Sequence, residues 1–217
     1  MSRKGELWLE HYFTNNENLK SDIRTIYYQY QEYNFSFLSD NGVFSKNKID
    51  FGSRLLVESF LKYHINIKGS DILDVGGGYG FIGITIAKIL NSSVDIIDVN
   101  KRAIHLCERN IKLNEIKSCN VFLSNIYENI DKKYDYIITN PPIRAGKEVV
   151  LKILTEAKDH LKLNGELWFV INKDQGANST KKALEKWYNI KIVEKSKGFY
   201  VFNAKISWQN SVKDLKF

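Results

Sequence analysis

Two stretches hold the residues best suited to chemistry: Asp74-Val75-Gly76-Gly77-Gly78-Tyr79-Gly80 and, further along, Thr139-Asn140-Pro141-Pro142-Ile143. Glycines at that density let the backbone take positive φ and let a ligand come closer than a Cβ would permit. The apolar run Phe81 to Ala87 behind them reads as a helix, whose N-terminal N–H groups favour electron-rich groups, so a nucleotide-like ligand is the natural occupant. The second stretch is rich in acceptors, because proline has no backbone N–H and stiffens the turn. The side-chain oxygen of Asn140 and the carbonyl of Pro141 can each accept one N–H of an exocyclic amine on a nucleobase. Such an amine is a poor nucleophile, its lone pair being delocalised into the ring. Two acceptors would turn that lone pair outward and stabilise the positive charge that grows on nitrogen. This step needs no metal and no titrating base.

The glycine loop admits two registers. Gly78-x-Gly80-x-x-Gly83 satisfies the dinucleotide fingerprint, with Asp98 about twenty residues on, which would suit a nicotinamide-dependent oxidoreductase. The other register, Asp74-x-Gly76-x-Gly78-x-Gly80, puts a carboxylate at the strand end, where it would repel a pyrophosphate and suit a ligand with an ammonium or sulfonium group. That points to S-adenosylmethionine, with Asp74 facing its methionine end. Asp98 closes the next strand, so its carboxylate can accept from both ribose hydroxyls. Asn125, after the third strand, is either a partner for the adenine edge or a simple turn residue.

Strands are expected near 71–75, 94–98, 120–123, 134–139 and 165–171, with helices near 81–90, 101–113 and 147–161. That alternation marks a parallel sheet covered on both faces. Ahead of it, Leu55, Leu56, Val57, Phe60 and Leu61 line one face of a helix over 53–62 with Ser53 as its N-cap. After it come a helix over 179–188 and a hairpin of 190–194 with 199–204, turned at Lys197-Gly198. Segments 23–30 and 33–38 read as two N-terminal strands closed by Asp40-Asn41-Gly42, and Glu6 to Phe13 as a short helix or arm. The division expected is an extension over 1–50, packed on a single domain over 51–217.

The 217 residues, 43% apolar and 26% charged, are enough for one α/β domain with a small addition. No run is long and apolar enough for a bilayer and no signal peptide is evident, so a cytoplasmic protein is expected. Cys107 and Cys119 lack metal-ligand spacing and read as free thiols, and no metal is expected. The net charge of +7 favours a polyanionic partner without specifying one.

With these residues in view, the chain resembles the class I S-adenosylmethionine-dependent methyltransferases, through the glycine loop, Asp98 and Asn125. The resemblance implies a Rossmann-like fold: a mostly parallel seven-stranded sheet with a closing antiparallel hairpin. Asn140-Pro141-Pro142-Ile143 is similar to the Asn-Pro-Pro-aromatic motif of amino-directed members, with Ile143 in place of the aromatic ring. The target base would then rest on Ile143 or on a neighbour such as Phe44. Gly42-Val43-Phe44-Ser45, Ile49-Asp50-Phe51-Gly52-Ser53, Asn140 to Lys147 and Gln175-Gly176-Ala177 narrow the resemblance to small RsmC-like enzymes. These methylate a guanine amine of small-subunit ribosomal RNA, which implies ribosomal RNA or the small subunit as partner. Pro142, Ile143, Arg144 and Lys147 would then contact substrate, and Lys173, Lys181, Lys182 and Lys186 would extend a basic face. Three rivals stay open at this point. They are an adenine- or glutamine-directed amino methyltransferase, the nicotinamide enzyme, and an RNA-binding module without catalysis.

Overall fold

The computed structural model describes residues 19–207. The arm expected at Glu6 to Phe13 lies outside them. In chain order the elements are β1 (Arg24–Tyr30), β2 (Tyr33–Ser39), α1 (Phe51–His64), β3 (Asp71–Val75), α2 (Phe81–Leu90), β4 (Ser93–Asp98), α3 (Lys101–Leu113), β5 (Cys119–Leu123) and β6 (Tyr134–Thr139). They continue with α4 (Lys147–Glu156), β7 (Leu161–Asn172), α5 (Ala177–Leu184), β8 (Tyr188–Ser196) and β9 (Phe199–Ile206).

Strands β3 to β9 form one seven-stranded sheet in the order β5-β4-β3-β6-β7-β9-β8, in which β9 runs antiparallel to both of its neighbours. The remaining ladders are parallel. The chain winds outward from β3 through β4 to β5 and then returns to the other side of β3 as β6. Where the winding reverses, the loops after β3 and β6 leave in opposite directions and open a crevice at the carboxyl ends. The register pairs Asp74 with Ile138, which brings Gly76 level with Asn140. The Thr139 hydroxyl donates to the Val75 carbonyl at 2.8 Å and fixes the two strand ends together. The two stretches that sequence singled out are therefore neighbours by topology.

Period-two alternation divides the core. Ile72, Ile96, Ile138 and Val170 face α1, α2 and α3, while Leu73, Ile97, Ile137 and Phe169 face α4 and α5. The β1–β2 hairpin joins the first layer through Ile26, Phe35 and Phe37, against Tyr79 and Phe81. Asn110 of α3 and Asn114, the cap at its C-terminal end, hold it there. Asn110 accepts from the Leu38 N–H at 2.7 Å and donates to its carbonyl at 2.9 Å, and Asn114 does the same for Ser36 at 3.1 and 2.8 Å. The free edge of β2 is thus paired by side chains instead of a strand.

Three local expectations change, and one holds. The N-cap of α1 is Asp50, which accepts from the Ser53 N–H, and Ser53 lies inside the helix. The helix expected over 147–161 ends at Glu156 in a 3-10 turn (Ala157–His160), because Leu161 already pairs with Tyr134 and begins β7. Behind that pairing, Gly165 sits where a Cβ would meet the Lys162 and Tyr134 carbonyls at 3.0 Å. The helix expected over 179–188 is Ala177–Leu184, and Tyr188 belongs to β8. Cys107 is buried, Cys119 is half-buried, and both are free thiols.

Candidate active site

A cavity of about 290 Å³ opens at the switch point, its wall running from Gly76, Gly78 and Asp98 to Asn140, Pro141 and Phe199. A second depression of about 390 Å³, between the hairpin and the end of α3, contains none of the motif residues.

The five glycines of the loop and helix start do two kinds of work. At Gly76 and Gly78, with φ of +71° and +58°, an added Cβ would meet nothing within 4 Å, so these positions keep the cavity floor low and the backbone in a left-handed conformation. At Gly77 a Cβ would lie 2.4 Å from Ile96 Cγ2, at Gly80 2.5 Å from Cys107 Sγ, and at Gly83 2.7 Å from Ile96 Cδ1. Those three let the helices approach the sheet. Gly80, expected as a ligand contact, lies behind the cavity wall formed by Gly76, Gly77, Gly78, Tyr79 and Phe81. A testable consequence is that Gly77→Ala lowers stability by about 1–3 kcal/mol through overpacking. Adding Ile96→Ala should cost less in that background than in the parent, as urea unfolding of the double-mutant cycle would show.

The loop's own N–H groups are already used. Those of Gly76 and Gly77 donate to the Ile97 carbonyl at 2.9 and 3.0 Å, that of Gly80 donates to Gly77, and that of Gly78 donates to Asp98 Oδ2 at 2.9 Å. The Asp74 carboxylate is 1% exposed and accepts from the Gly83 N–H in the first turn of α2, at 2.9 Å. Pleating puts Asp74 on the same face as Ile72, under the loop and behind the residues of the cavity wall, with Oδ1 buried and without a partner among the described residues. Burial raises its pKa to about 7, with some help from Asp98 and against the pull of the Gly83 N–H. A carboxylate already stands where a dinucleotide's pyrophosphate would seek the helix N-terminus. The site therefore fits an adenosyl ligand without phosphates better than a nicotinamide dinucleotide.

Asp98 lines the cavity, its Oδ1 accepting from the Asn100 N–H at 2.8 Å. Burial raises its pKa, while the N–H groups of Asn100, Gly78 and Val99 oppose the shift. Asn125 also lines the cavity, but its Nδ2 is engaged by Glu128 Oε1 at 2.7 Å.

At the other end, Asn140 is tied by its amide nitrogen. Nδ2 donates to Asp50 Oδ2 at 3.0 Å and to Ser53 Oγ at 2.8 Å, leaving Oδ1 free of donors among the described residues. Ser53 can accept or donate and would tolerate either amide orientation, whereas the Asp50 carboxylate only accepts and so selects the one observed. The Pro142 carbonyl is taken by the Ala145 N–H at 2.9 Å. Asn140 Oδ1 and the Pro141 carbonyl are then the acceptors that the turn offers the cavity.

Pro142, Ile143, Arg144 and Phe44 also belong to the wall, whereas Lys147 is exposed beyond it at the start of α4. Of the four further lysines, Lys181 pairs with Glu185, Lys186 lies over Trp187, and none reaches the cavity. Sequence reasoning missed Asp50 and Phe199 as site residues, and took Ser53 only for a cap. The spacing of Asp50 to Ser53, typical of an N-cap and the N–H it holds, was the available signal for the first. Nothing local marked Phe199. Among the described residues no cluster of His, Cys, Asp and Glu could hold a metal ion, and no helix is long and apolar enough to cross a membrane.

A parallel sheet with a glycine turn at its switch point, an acid closing the next strand and an Asn-Pro-Pro turn beside it defines the Rossmann-like methyltransferase class. The chain belongs to the methyltransferase small domain family, which it matches over residues 34–203. It is 42% identical over 200 residues to the uncharacterised protein YbxB of Bacillus subtilis, covering 90% of this chain and 98% of that one. It is 39% identical over 136 residues to ribosomal RNA small subunit methyltransferase C of Buchnera aphidicola, covering 60% of this chain but only 39% of that protein. In fold it is similar to the T. thermophilus 16S rRNA N2 methyltransferase RsmC, solved in complex with AdoMet and guanosine. There the TM-score is 0.78 at 22% identity, over 87% of this chain and 52% of that one.

Proposed function

We propose that the chain transfers a methyl group from S-adenosylmethionine to the exocyclic N2 of a guanine in small-subunit ribosomal RNA, acting in the cytoplasm. The observation that carries this reading is the fixed amide of Asn140. Its nitrogen is spent on Asp50 and Ser53, which leaves its oxygen, on a residue of the cavity wall, as a committed acceptor beside the Pro141 carbonyl. An acceptor pair suits an amine that must present a lone pair while retaining two N–H groups.

S-adenosylmethionine supplies the electrophilic methyl group. Asp98 accepts from the ribose hydroxyls, the open backbone at Gly76 and Gly78 admits the ligand, and the Asn125 oxygen is available to the adenine edge. Asn140 and Pro141 hold the amine, and their oxygens stabilise the charge that develops on it. Pro142 stiffens the turn, Ile143 gives the base an apolar contact, and Arg144 and Lys147 contact phosphate or the guanine edge. We take residues 51–217 as the methyltransferase domain and 1–50 as an extension, of which β1 and β2 pack on the domain. The chain covers only 39% of the Buchnera aphidicola enzyme and 52% of the T. thermophilus one.

The test is incubation of the protein and labelled S-adenosylmethionine with small subunits and naked 16S rRNA from cells lacking the gene. The expected product is N2-methylguanosine at a defined site, read by nuclease digestion and mass spectrometry. Label in an adenine of the RNA, or in a glutamine of a subunit protein with none in RNA, overturns the guanine assignment.

A further inference from the structure

The Asn-Pro-Pro turn ends in Ile143, so the turn itself offers the target base no aromatic face. One stands elsewhere on the cavity wall. Phe199, the first residue of β9, is part of the cavity wall along with Asn140. Its ring lies against Gly52, where an added Cβ would meet Phe199 Cε1 at 3.0 Å, and against Phe51 at a centroid distance of 5.6 Å. Gly52 falls between Asp50 and Ser53, the two residues that hold Asn140. The aromatic wall and the acceptor oxygen therefore share one support, the first turn of α1.

Outside the cavity, Phe51 gathers positive charge. Lys197 Nζ lies 5.0 Å from its ring centroid and the Arg54 guanidinium 5.6 Å. Arg54 also has a loose, exposed pair with Glu58 at 3.8 Å, and Lys197 is exposed at the hairpin tip. The tip is anchored from below, the Lys173 N–H donating to the Gly198 carbonyl at 2.7 Å. An aromatic wall inside and two cations outside match an unstacked base whose backbone runs over the rim.

We infer that Phe199 is the stacking face for the target base and that Arg54 and Lys197, seated on Phe51, hold phosphates of the adjoining single-stranded RNA. This deepens the reading given under the proposed function and rests on it. Phe199 thereby replaces the aromatic residue that Ile143 lacks, and the closing hairpin becomes part of the substrate site. Phe44, on the loop before α1, is 44% exposed and makes no contact with another aromatic ring among the described residues.

The experiment measures binding, not turnover. The full chain loaded with S-adenosylhomocysteine is titrated against 16S rRNA, naked and in small subunits, over a range of salt. Phe199→Leu keeps an apolar side chain on Gly52 but removes the π face, and should weaken RNA binding about tenfold. Phe199→Tyr should restore it, and Phe44→Leu should have little effect. Arg54→Gln with Lys197→Gln should reduce the slope of log affinity against log salt by about 1.4, as expected for two lost single-strand phosphate contacts. S-adenosylhomocysteine affinity and melting temperature should stay at parental values throughout. RNA affinity and slope unchanged in these variants, or lost in Phe44→Leu instead, overturn the platform and leave the acceptor role of Asn140 standing. A parent chain that ignores RNA and methylates DNA or a protein overturns both.

Discussion

Asn140→Ala is expected to slow methyl transfer by about three orders of magnitude, the scale set by removing one preorganised charge-stabilising group from an active site. S-adenosylhomocysteine should still bind within a few-fold of the parent, because the residues around Asp98 and the glycine loop are untouched. Single-turnover rates and calorimetric titration separate the two effects, and an unchanged rate would remove Asn140 from the chemistry. The Asp50 contact makes a graded prediction possible. In Asp50→Ala the amide nitrogen keeps Ser53 Oγ at 2.8 Å but loses the carboxylate at 3.0 Å. The serine hydroxyl can now donate to a flipped amide, so a fraction of molecules would present N–H groups to an amine that also carries N–H groups. The maximal rate should fall about tenfold with KM little altered, a result that a purely structural role would not give, beside the roughly 1 kcal/mol cost of a lost N-cap.

The bounds of β3, α2, α3 and β6 were legible in the sequence because each is signalled locally. Glycines stop β3, Asn100 caps α3, and proline ends β6. The neighbourhood of Asp74 to Gly80 and Asn140 was legible too, since strand alternation implies a switch point and a switch point implies a crevice. What a side chain faces was less legible. Asp74 and Asp98 lie near strand ends on the same face of the sheet, yet Asp74 sits under the loop against the Gly83 N–H, while Asp98, two residues further toward the carboxyl edge, reaches the cavity wall. Of the helix N-terminal N–H groups read as open to a ligand, that of Gly83 is already taken by Asp74. Asp50 and Ser53 are both capping types. Only the approach of Asn140, from a distant part of the chain, gives one the cap and both a share in the site. Phe199 comes from further away still, and its place beside Gly52 depends on β9 inserting between β7 and β8, an arrangement that local patterning does not encode.

Glu166→Ala is expected to cost about 3–5 kcal/mol of folding stability, a large share of the 5–15 kcal/mol typical of a domain. Glu166 Oε2 accepts from Trp168 Nε1 and Asn203 Nδ2, both at 2.7 Å, and lies 3.3 Å from His64 Nε2, while Oε1 is 2.8 Å from Lys205 Nζ. Trp168 is 1% exposed and Asn203 9%, so alanine would strand buried donors that no water can readily reach. The same contacts set the pH response. Burial pushes the carboxyl up, but His64, Lys205 and Trp168 together outweigh it and hold the pKa down at about 2 against an ordinary 4.5. A depressed acid binds fewer protons folded than unfolded. Its stabilisation is therefore complete above about pH 4.5 and is lost as pH falls toward 2, by up to about 3 kcal/mol. Asp74 acts in the opposite sense and in another window. Its raised pKa makes the fold more stable as pH falls from about 7 toward 4. Urea unfolding across pH should therefore show stability rising on mild acidification and then dropping below pH 4.5. Glu166→Gln, which keeps one acceptor oxygen but cannot titrate, should lose the acid limb of that curve and keep the neutral one. An acid limb that survives the substitution would place the titrating group elsewhere.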